Sequence, residues 1–352
     1  MTLPLASFQL IRLLVIASLT FLLAFLWAPA LLHWLESHKM GKSIRLAEET
    51  PVYARLHARK AGTPTMGGLL VWGTVLAVIL LCALLGWLLP DSAFARLSFL
   101  TRAQTLLPLG ALVASALVGL VDDYFNIRRI GAHGGGLRAR HRLLIYAAIA
   151  AVGAWWFTVK LDWRILHVPF FGTFDIGWWY VPVFMAVLIA TAFSVNETDG
   201  LDGLAGGVLF PAYAAYALIA FAQGKYDLAV FCAAVIGGLL AFLWFNIHPA
   251  RFFMGDTGSM SLGITLGVIA MLTNAALLLP VIGFVFVLES LSVLLQLAWR
   301  RLFKRKLFLS APFHHHLEAR GWPEPQIVMR LWVVAYVAAA LGVALALLDA
   351  LI

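Results

Sequence analysis

The sequence predicts an all-α polytopic membrane protein with about ten transmembrane helices. Of its 352 residues, 62% are hydrophobic and only 12% are charged, and the mean hydropathy is +0.93. Soluble domains contain about 45–50% apolar residues, so this chain is too apolar for a soluble fold. The apolar stretches are uninterrupted, which excludes the alternating pattern of a membrane β-barrel.

Ten apolar stretches have the length that a helix needs to cross a bilayer, and no linker divides them, so we expect one transmembrane domain over residues 1–352. They are 8–35, 66–89, 104–121, 143–159, 178–195, 203–222, 228–245, 259–273, 275–299 and 329–350. The first is too long for a removable signal peptide and lacks a small-residue cleavage site, which favours a retained span. Cys82 and Cys232 fall inside apolar stretches and are expected to be buried thiols.

Basic residues concentrate in alternate connections. Connections 36–63, 122–142 and 300–330 hold six, five and seven Lys and Arg residues. Because basic loops stay in the cytoplasm, these connections should face inward, with the N- and C-termini outside, on the periplasmic face. The same alternation argues against nucleic-acid binding, which would favour a single basic stripe. The outer connection 160–177 is expected to hold a small hairpin around Pro169.

Five aspartates lie beside apolar stretches, at ends that this topology places in the cytoplasm: Asp122, Asp123, Asp199, Asp202 and Asp256. A carboxylate at the edge of hydrocarbon costs several kcal/mol unless it is solvated, paired or bound to a metal. Their clustering predicts work on a charged substrate or a metal ion. Adjacent helical side chains point about 100° apart, so Asp122 and Asp123 should have different roles, one of them that of a general base.

Two glycine-rich motifs adjoin these aspartates. Lys60–Gly68 places a cation and flexible backbone before the second span, which suits a phosphate but also fits a positive-inside anchor. In Asn196–Ala205 polar residues recur every third position, at 196, 199 and 202. This spacing can hold a ribose, a metal or a base edge, whereas a simple helix cap explains only one of the three.

Two more motifs follow in later cytoplasmic connections. Asp256 has small neighbours and is a candidate Mg²⁺ ligand, because Mg²⁺ is bound by one or two carboxylates plus substrate phosphates. Phe252 and Phe253, just before it, offer a stacking face for a flat base. The three consecutive histidines 314–316 cannot all face one metal on a regular helix. Hydrogen bonding or phosphate contact by part of the set is therefore expected rather than a zinc site.

Together these motifs resemble the phospho-N-acetylmuramoyl-pentapeptide-transferase family, within the polyprenyl-phosphate N-acetylhexosamine-1-phosphate transferase superfamily. The resemblance covers residues 36–335, and its most discriminating part is Pro312–Glu318, continuing to Gly321–Pro325. It implies transfer of phospho-MurNAc-pentapeptide from UDP-MurNAc-pentapeptide to undecaprenyl phosphate, giving lipid I and UMP, in the first membrane step of peptidoglycan synthesis. It also implies Mg²⁺ as cofactor, a homodimer, and the bilayer of the bacterial cytoplasmic (inner) membrane as location.

The resemblance also implies roles for the matching positions. Asp256 is expected to bind Mg²⁺, and Asp122, by preference over Asp123, to deprotonate or otherwise serve the lipid phosphate. The expected catalytic residues are Asp122, Asp123, Asp256 and His315. The expected substrate-binding residues, which hold uridine, diphosphate and sugar, are Lys60, Thr65, Asn196, Asp199, Asp202, Asn246, Phe253, His314 and His316, with Phe253 stacking on uracil.

Three positions depart from the family pattern. Asn126 and Arg142 stand where a Lys is usual, and Glu197 stands where an apolar residue is usual. Because Arg keeps the charge of Lys but not its geometry, a catalytic-lysine role at position 142 is in doubt. The changes at 126 and 142 are expected to leave the aspartate constellation untouched.

Two alternative functions stay open from the sequence. A sister transferase would use UDP-N-acetylglucosamine, which the histidine triplet argues against. A transporter or flippase would place polar groups near the bilayer midplane, often within inverted repeats. The sequence contains no such repeat, and Glu289 is the one midplane candidate.

Overall fold

The computed structural model describes residues 5–41, 60, 62–102, 104–131 and 135–352. Most of the predicted cytoplasmic connection 36–63 therefore lies outside the described residues. The described residues are mainly helical, which confirms the all-α prediction, and the hairpin predicted around Pro169 is there. Strands β1 (Ile165–Val168) and β2 (Gly172–Asp175) pair antiparallel, with Val168 opposite Gly172.

Nine helical stretches among the described residues are long and apolar enough to span a membrane, and they match nine of the ten predicted spans. The helices in these stretches are α1 (Leu5–Ser37), α2 (Gly68–Leu88), α3 (Leu106–Arg128), α4 (Ala139–Trp155), α5 (Tyr180–Thr198), α6 (Leu204–Ala222), α7 (Tyr226–Asn246), α8 (Gly255–Leu272) and α12 (Glu324–Asp349). A π-helical segment, Trp156–Lys160, extends α4, and 3₁₀ turns occupy Ala93–Leu97 and Gly177–Trp179.

The remaining predicted span, 275–299, is broken. A 3₁₀ turn (Ala276–Leu278) and the short α9 (Leu279–Ile282) are followed by α10 (Phe284–Phe303), and the two parts meet at 85°. The break falls at Gly283. A short helix, α11 (Phe313–Ala319), lies between α10 and α12 and carries the three histidines. Many of the apolar side chains of α10 are exposed.

Both ends of the described chain lie at one end of the bundle. Near the start of α1, Arg12 forms an ion pair of 2.8 Å with Asp227 at the start of α7. At the end of α12, Asp349 is 2.5 Å from His167 in the hairpin. The other end of the bundle holds the end of α1 and the start of α12. An even number of crossings, with the broken span counted as one, explains this arrangement.

Helix α8 is buried along nearly its whole length and forms the centre of the bundle. Its first turn lies against the backbones of α2 and α3 because both present a glycine there. A Cβ added at Gly68 would come within 2.2 Å of Gly258, and one at Gly119 within 2.4 Å of the Asp256 carbonyl oxygen. Small residues allow helices to pack this closely in membranes. This packing fixes the position of Asp256, in the first turn of α8.

Candidate active site

All five aspartates lie at the end of the bundle opposite the chain termini. Asp122 and Asp123 are on α3, which continues to Arg128, two turns beyond the predicted end of that span. Asp199 directly follows the last residue of α5, and Asp202 lies in the turn after it. Asp256 is in the first turn of α8. Hydrogen bonds and ion pairs connect these elements.

Arg142, on α4, lies between two of the aspartates. Its Nε is 2.6 Å from Asp122 Oδ2, and its terminal Nη2 is 3.0 Å from Asp256 Oδ2. Asp122 is fully buried and also accepts a hydrogen bond of 2.6 Å from the Leu137 backbone N–H. The expectation that position 142 leaves the aspartate constellation untouched is therefore wrong. The guanidinium fork suits this task because two of its nitrogens can each face a carboxylate.

Asp123 points in a different direction from its neighbour, as the helical geometry predicts. Its Oδ1 accepts from the Asp256 N–H and its Oδ2 from the Thr257 N–H, each at 3.0 Å. These amides belong to the first turn of α8, where no intrahelical partner exists for them. A carboxylate there is also stabilised by the helix dipole. Asp123 thus caps the helix that carries Asp256.

Asn196 and Asp199 hold the start of α8 from the other side. The Asn196 side-chain amide donates to Asp256 Oδ1 at 2.6 Å and to Ser259 Oγ at 3.0 Å. Asp199 accepts from the Gly255 N–H at 3.2 Å. Gly255 has φ +73°, and a Cβ there would come within 2.7 Å of Thr65 Oγ1. The predicted residue Thr65 therefore lies at the same helix start, and it is buried.

Lys60 joins Asp202 to a residue that the sequence analysis did not single out. Its Nζ lies 2.6 Å from Asp202 Oδ1 and 2.5 Å from Oε1 of Glu324, in the first turn of α12. His248 Nδ1 lies 2.9 Å from Asp202 Oδ2. Asp202, His248 and Glu324 together have the spacing of a metal site, but the Lys60 ammonium already provides a cation to two of them.

These contacts decide the charge of Asp202. Burial alone would raise its pKa, but the hydrogen bond and charge of Lys60, with further hydrogen bonds from the Ala250 N–H and His248, hold the pKa below its ordinary value. Asp202 is therefore an anion at neutral pH. The ion pair with Lys60 is consequently present under physiological conditions.

Asn246 and the two phenylalanines shape the loop before α8. Both ends of the Asn246 side chain bond to backbone: Oδ1 accepts from the Gly203 N–H at 2.9 Å, and Nδ2 donates to the Phe252 carbonyl at 2.8 Å. The Phe252 ring is fully buried against other phenylalanines, whereas Phe253 is partly exposed. The ring of Phe253 has its centroid 5.9 Å from Lys60 Nζ. Of the two rings, only Phe253 presents a face to a ligand.

His314 is fully buried and is bound to Glu289, the predicted midplane residue. Its Nδ1 lies 3.0 Å from Glu289 Oε2, which also accepts from the His314 backbone N–H at 3.2 Å. Burial alone would lower the pKa of His314, but the negative charge of Glu289 raises it above the ordinary value. The other ring nitrogen, Nε2, has no hydrogen-bond partner among the described residues. It faces Gly200, where an added Cβ would lie 2.2 Å away.

The other two histidines have separate partners. His315 Nδ1 is 2.6 Å from Glu318 Oε2, one turn along α11. His316 Nδ1 accepts from the Leu309 N–H at 3.1 Å. Partial burial, with the positive charge of Arg320, lowers the pKa of His316 below its ordinary value. The pKa values of His314 and His316 are therefore shifted in opposite directions.

Three participants were not predicted from the sequence: Arg142 as a partner of the aspartates, and Glu324 and His248 around Lys60. Each is separated by more than 40 residues from at least one partner. The only local signals were the presence of Arg142 in a basic connection and of Glu324 in the motif that follows the histidines. The assembled site has two cationic centres, Lys60 and Arg142, each held by carboxylates, which suits an anionic substrate.

Comparisons with known proteins assign the chain to a family. The model for glycosyl transferase family 4 matches residues 105–274, and the phospho-N-acetylmuramoyl-pentapeptide-transferase signature 1 matches residues 60–70. These ranges contain every aspartate of the site and Lys60.

Three curated relatives carry the name phospho-N-acetylmuramoyl-pentapeptide-transferase. The protein from Chloroflexus aggregans is 36% identical over 350 residues, covering 96% of this chain and 90% of the relative. That from Geobacillus thermodenitrificans is 38% identical over 329 residues, covering 93% and 95%. That from Desulfosudis oleivorans is 38% identical over 347 residues, covering 93% and 90%.

Proposed function

Because the chain belongs to the phospho-N-acetylmuramoyl-pentapeptide-transferase family, we propose that it transfers phospho-MurNAc-pentapeptide from UDP-MurNAc-pentapeptide to undecaprenyl phosphate. The products are lipid I and UMP, in the first membrane step of peptidoglycan synthesis. The chain is a transferase and a multi-pass protein of the bacterial inner membrane. The observation that carries the proposal is the meeting of Asp122 and Asp256, from separate spans, at one cation, Arg142.

The reaction joins two anionic groups. An oxygen of the lipid phosphate attacks the phosphorus that carries the sugar, and the bond from this phosphorus to the bridging oxygen breaks. The bridging oxygen and its electron pair leave with UMP. The active site must therefore counter negative charge on both the attacking and the leaving side. Among the described residues, we assign Arg142 to the reacting phosphates and Lys60 to binding of the UDP diphosphate.

We propose that Asp256 binds the Mg²⁺ ion. Its carboxylate is partly exposed, lies near that of Asp122 and already holds a cationic group, Arg142. Carboxylate oxygens are the ligands that Mg²⁺ prefers. Such an ion supplies charge stabilisation to the phosphate oxygens. Arg142 would then share the carboxylates with the metal and contact the lipid phosphate.

Asp122 and Asp123 divide their work in this proposal. Both Asp123 oxygens are engaged with backbone N–H groups of α8, which supports a positioning role for its carboxylate. Asp122 is paired with an arginine side chain, Arg142, and lies beside Asp256. Asp122 is therefore the residue that we assign to the lipid phosphate, as a proton acceptor or as an electrostatic guide.

The nucleotide side is proposed to lie around Lys60 and Phe253. The partly exposed ring can stack on uracil, and the ammonium beside it can face the diphosphate. Asn196, Asp199, Asp202 and Asn246 shape this side through the hydrogen bonds described above, and Thr65 lies at its base. The histidine helix α11 approaches the same turn at Gly200. We assign its partly exposed histidines, His315 and His316, to the phosphates or the sugar.

We propose that the site faces the cytoplasm and that the protein forms a homodimer. The basic connections at the site end of the bundle support the first proposal, because positive loops stay inside. UDP-linked sugars are soluble, so the substrate would reach the site from water while the lipid phosphate arrives from the bilayer. Native mass spectrometry of the full chain in detergent tests the dimer.

A transfer assay tests the function. Purified wild-type protein is given undecaprenyl phosphate and radiolabelled UDP-MurNAc-pentapeptide or UDP-N-acetylglucosamine, with and without Mg²⁺. We expect labelled lipid and UMP only with the muramoyl substrate and only with Mg²⁺. Labelled lipid from UDP-N-acetylglucosamine alone would instead identify a sister transferase. Full activity in a folded Asp256→Asn variant would refute the metal assignment.

A further inference from the structure

Glu324, which the sequence did not single out, lies at the centre of a charge cluster. The cluster consists of Lys60, Asp202, His248 and Glu324. The Oε1 atom of Glu324 accepts from Lys60 Nζ at 2.5 Å and from the Asp202 backbone N–H at 2.7 Å. Its Oε2 is 3.6 Å from His248 Nδ1. One carboxylate therefore touches three segments that are distant in sequence.

The position of Glu324 in the fold is well defined. It occupies the first turn of α12, where negative charge is favoured by the helix dipole. Farther along the same helix, Trp332 Nε1 donates to the Gly203 carbonyl at 3.1 Å, and the indole packs against Gly207. Helix α12 thus holds the turn between α5 and α6 at two points. Of these two contacts, the one made by Glu324 carries a charge.

The main effect of this arrangement is to restrain the Lys60 side chain. Its flexible four-carbon stem loses rotamer freedom whenever the ammonium is held in one place. The two carboxylates of Asp202 and Glu324 restrain that ammonium before any ligand binds, with the Lys60 side chain only 18% exposed. The entropic cost of ordering the Lys60 side chain is then not incurred again when a diphosphate binds. The same contact keeps Lys60 beside the Phe253 ring.

We infer that Glu324 is a positioning residue for the nucleotide-sugar substrate, acting through Lys60 and the Asp202 turn. The inference rests on the proposed function. Glu324 need not touch the substrate, and the cluster holds an ammonium rather than a metal ion. Its loss should weaken binding of the UDP-linked substrate and leave the chemical step almost unchanged.

The test is a double-mutant cycle on the full chain in detergent with the transfer assay. For Glu324→Gln we expect KM for UDP-MurNAc-pentapeptide to rise about tenfold and kcat to stay within about threefold. In the Lys60→Met background, Glu324→Gln should raise the KM by less than about twofold, because the lysine that Glu324 positions is absent. Glu324→Asp, which keeps the charge, should recover part of the loss if the Gln variant folds poorly. Glu36→Gln, an exposed carboxylate at the same end of the bundle, serves as the control.

Several results would overturn the inference. An unchanged or lower KM in Glu324→Gln would do so, as would a KM rise of equal size with and without Lys60. Stoichiometric Mn²⁺ binding to Asp256→Asn that Glu324→Gln abolishes would identify a metal site instead. If the wild-type protein transfers nothing, the proposed function fails. If it is active and the cycle is additive, the inference alone fails.

Discussion

Glu289 and His314 form a buried pair in which one carboxylate oxygen holds both the ring and the backbone of the histidine, at 3.0 Å and 3.2 Å. Neither side chain is exposed. A carboxylate accepts hydrogen bonds only, so the proton lies on Nδ1 of the ring. The pair anchors α11 to α10 beyond the break at Gly283, and it directs Nε2 toward Gly200.

The first prediction concerns pH. The pKa of His314 is raised above its ordinary value of 6.5, because the charge of Glu289, aided by Glu318 and Glu197, outweighs burial. The protonated His314 paired with Glu289 therefore stabilises the fold fully below pH 6.5. This stabilisation is lost as the pH rises through the raised pKa. We expect the wild-type melting temperature to fall between pH 6 and pH 9. Tryptophan fluorescence during heating measures it.

The control for this prediction is His314→Gln, which removes the titrating group. Its melting temperature should be lower than that of the wild type at pH 6, and it should change less between pH 6 and pH 9. Equal pH slopes in both proteins would show that the pair is not the origin of the effect.

The second prediction concerns Gly200. A methyl group at this position would lie 2.2 Å from His314 Nε2, so either the turn or the imidazole must move. Overpacking of this kind costs about 1–3 kcal/mol. We expect Gly200→Ala to lose at least about tenfold in transfer activity, which corresponds to about 1.4 kcal/mol. Gly110→Ala, on α3 with open space around it, is the matched control and should retain activity.

The third prediction concerns the cap of α8. Asp123→Ala removes the acceptor of the Asp256 and Thr257 amides, and loss of a helix cap costs about 0.5–2 kcal/mol. We expect faster hydrogen exchange at these two amides and weaker Mg²⁺ binding. Asp162→Ala, an exposed carboxylate at the opposite end, should alter neither. Unchanged exchange in Asp123→Ala would contradict the capping role.

The fourth prediction concerns Arg142. Arg142→Met leaves the buried Asp122 without its cation, and breaking a buried pair from one side costs about 3–5 kcal/mol. We expect kcat/KM to fall at least about a hundredfold. Arg142→Lys keeps the charge but not the fork, and should stay within about tenfold of the wild type. Arg140→Met, an exposed neighbour, should remain near wild type. A loss in Arg140→Met equal to that in Arg142→Met would indicate a general effect of loop charge.

Much of the fold was predictable because a bilayer imposes a simple rule on each segment separately. A helix must be about 20 apolar residues long to cross, and that rule finds nine spans without any knowledge of their neighbours. The remaining span, 275–299, was predicted as one helix because its apolar run is nearly continuous. The bend at Gly283 depends on packing against other helices, which the run of residues does not encode.

For the site, the sequence by itself determined which residue types gather at the ends of the spans, and the family to which the chain belongs. The helical repeat alone separated Asp122 from Asp123. Only the tertiary structure decided the partners: Arg142 for Asp122 and Asp256, and Glu324 for Lys60. Two of these three pairs, Arg142–Asp256 and Glu324–Lys60, join residues more than 100 positions apart. The sequence does not reveal them, because the nearest opposite charge of a side chain is set by the packing of whole helices.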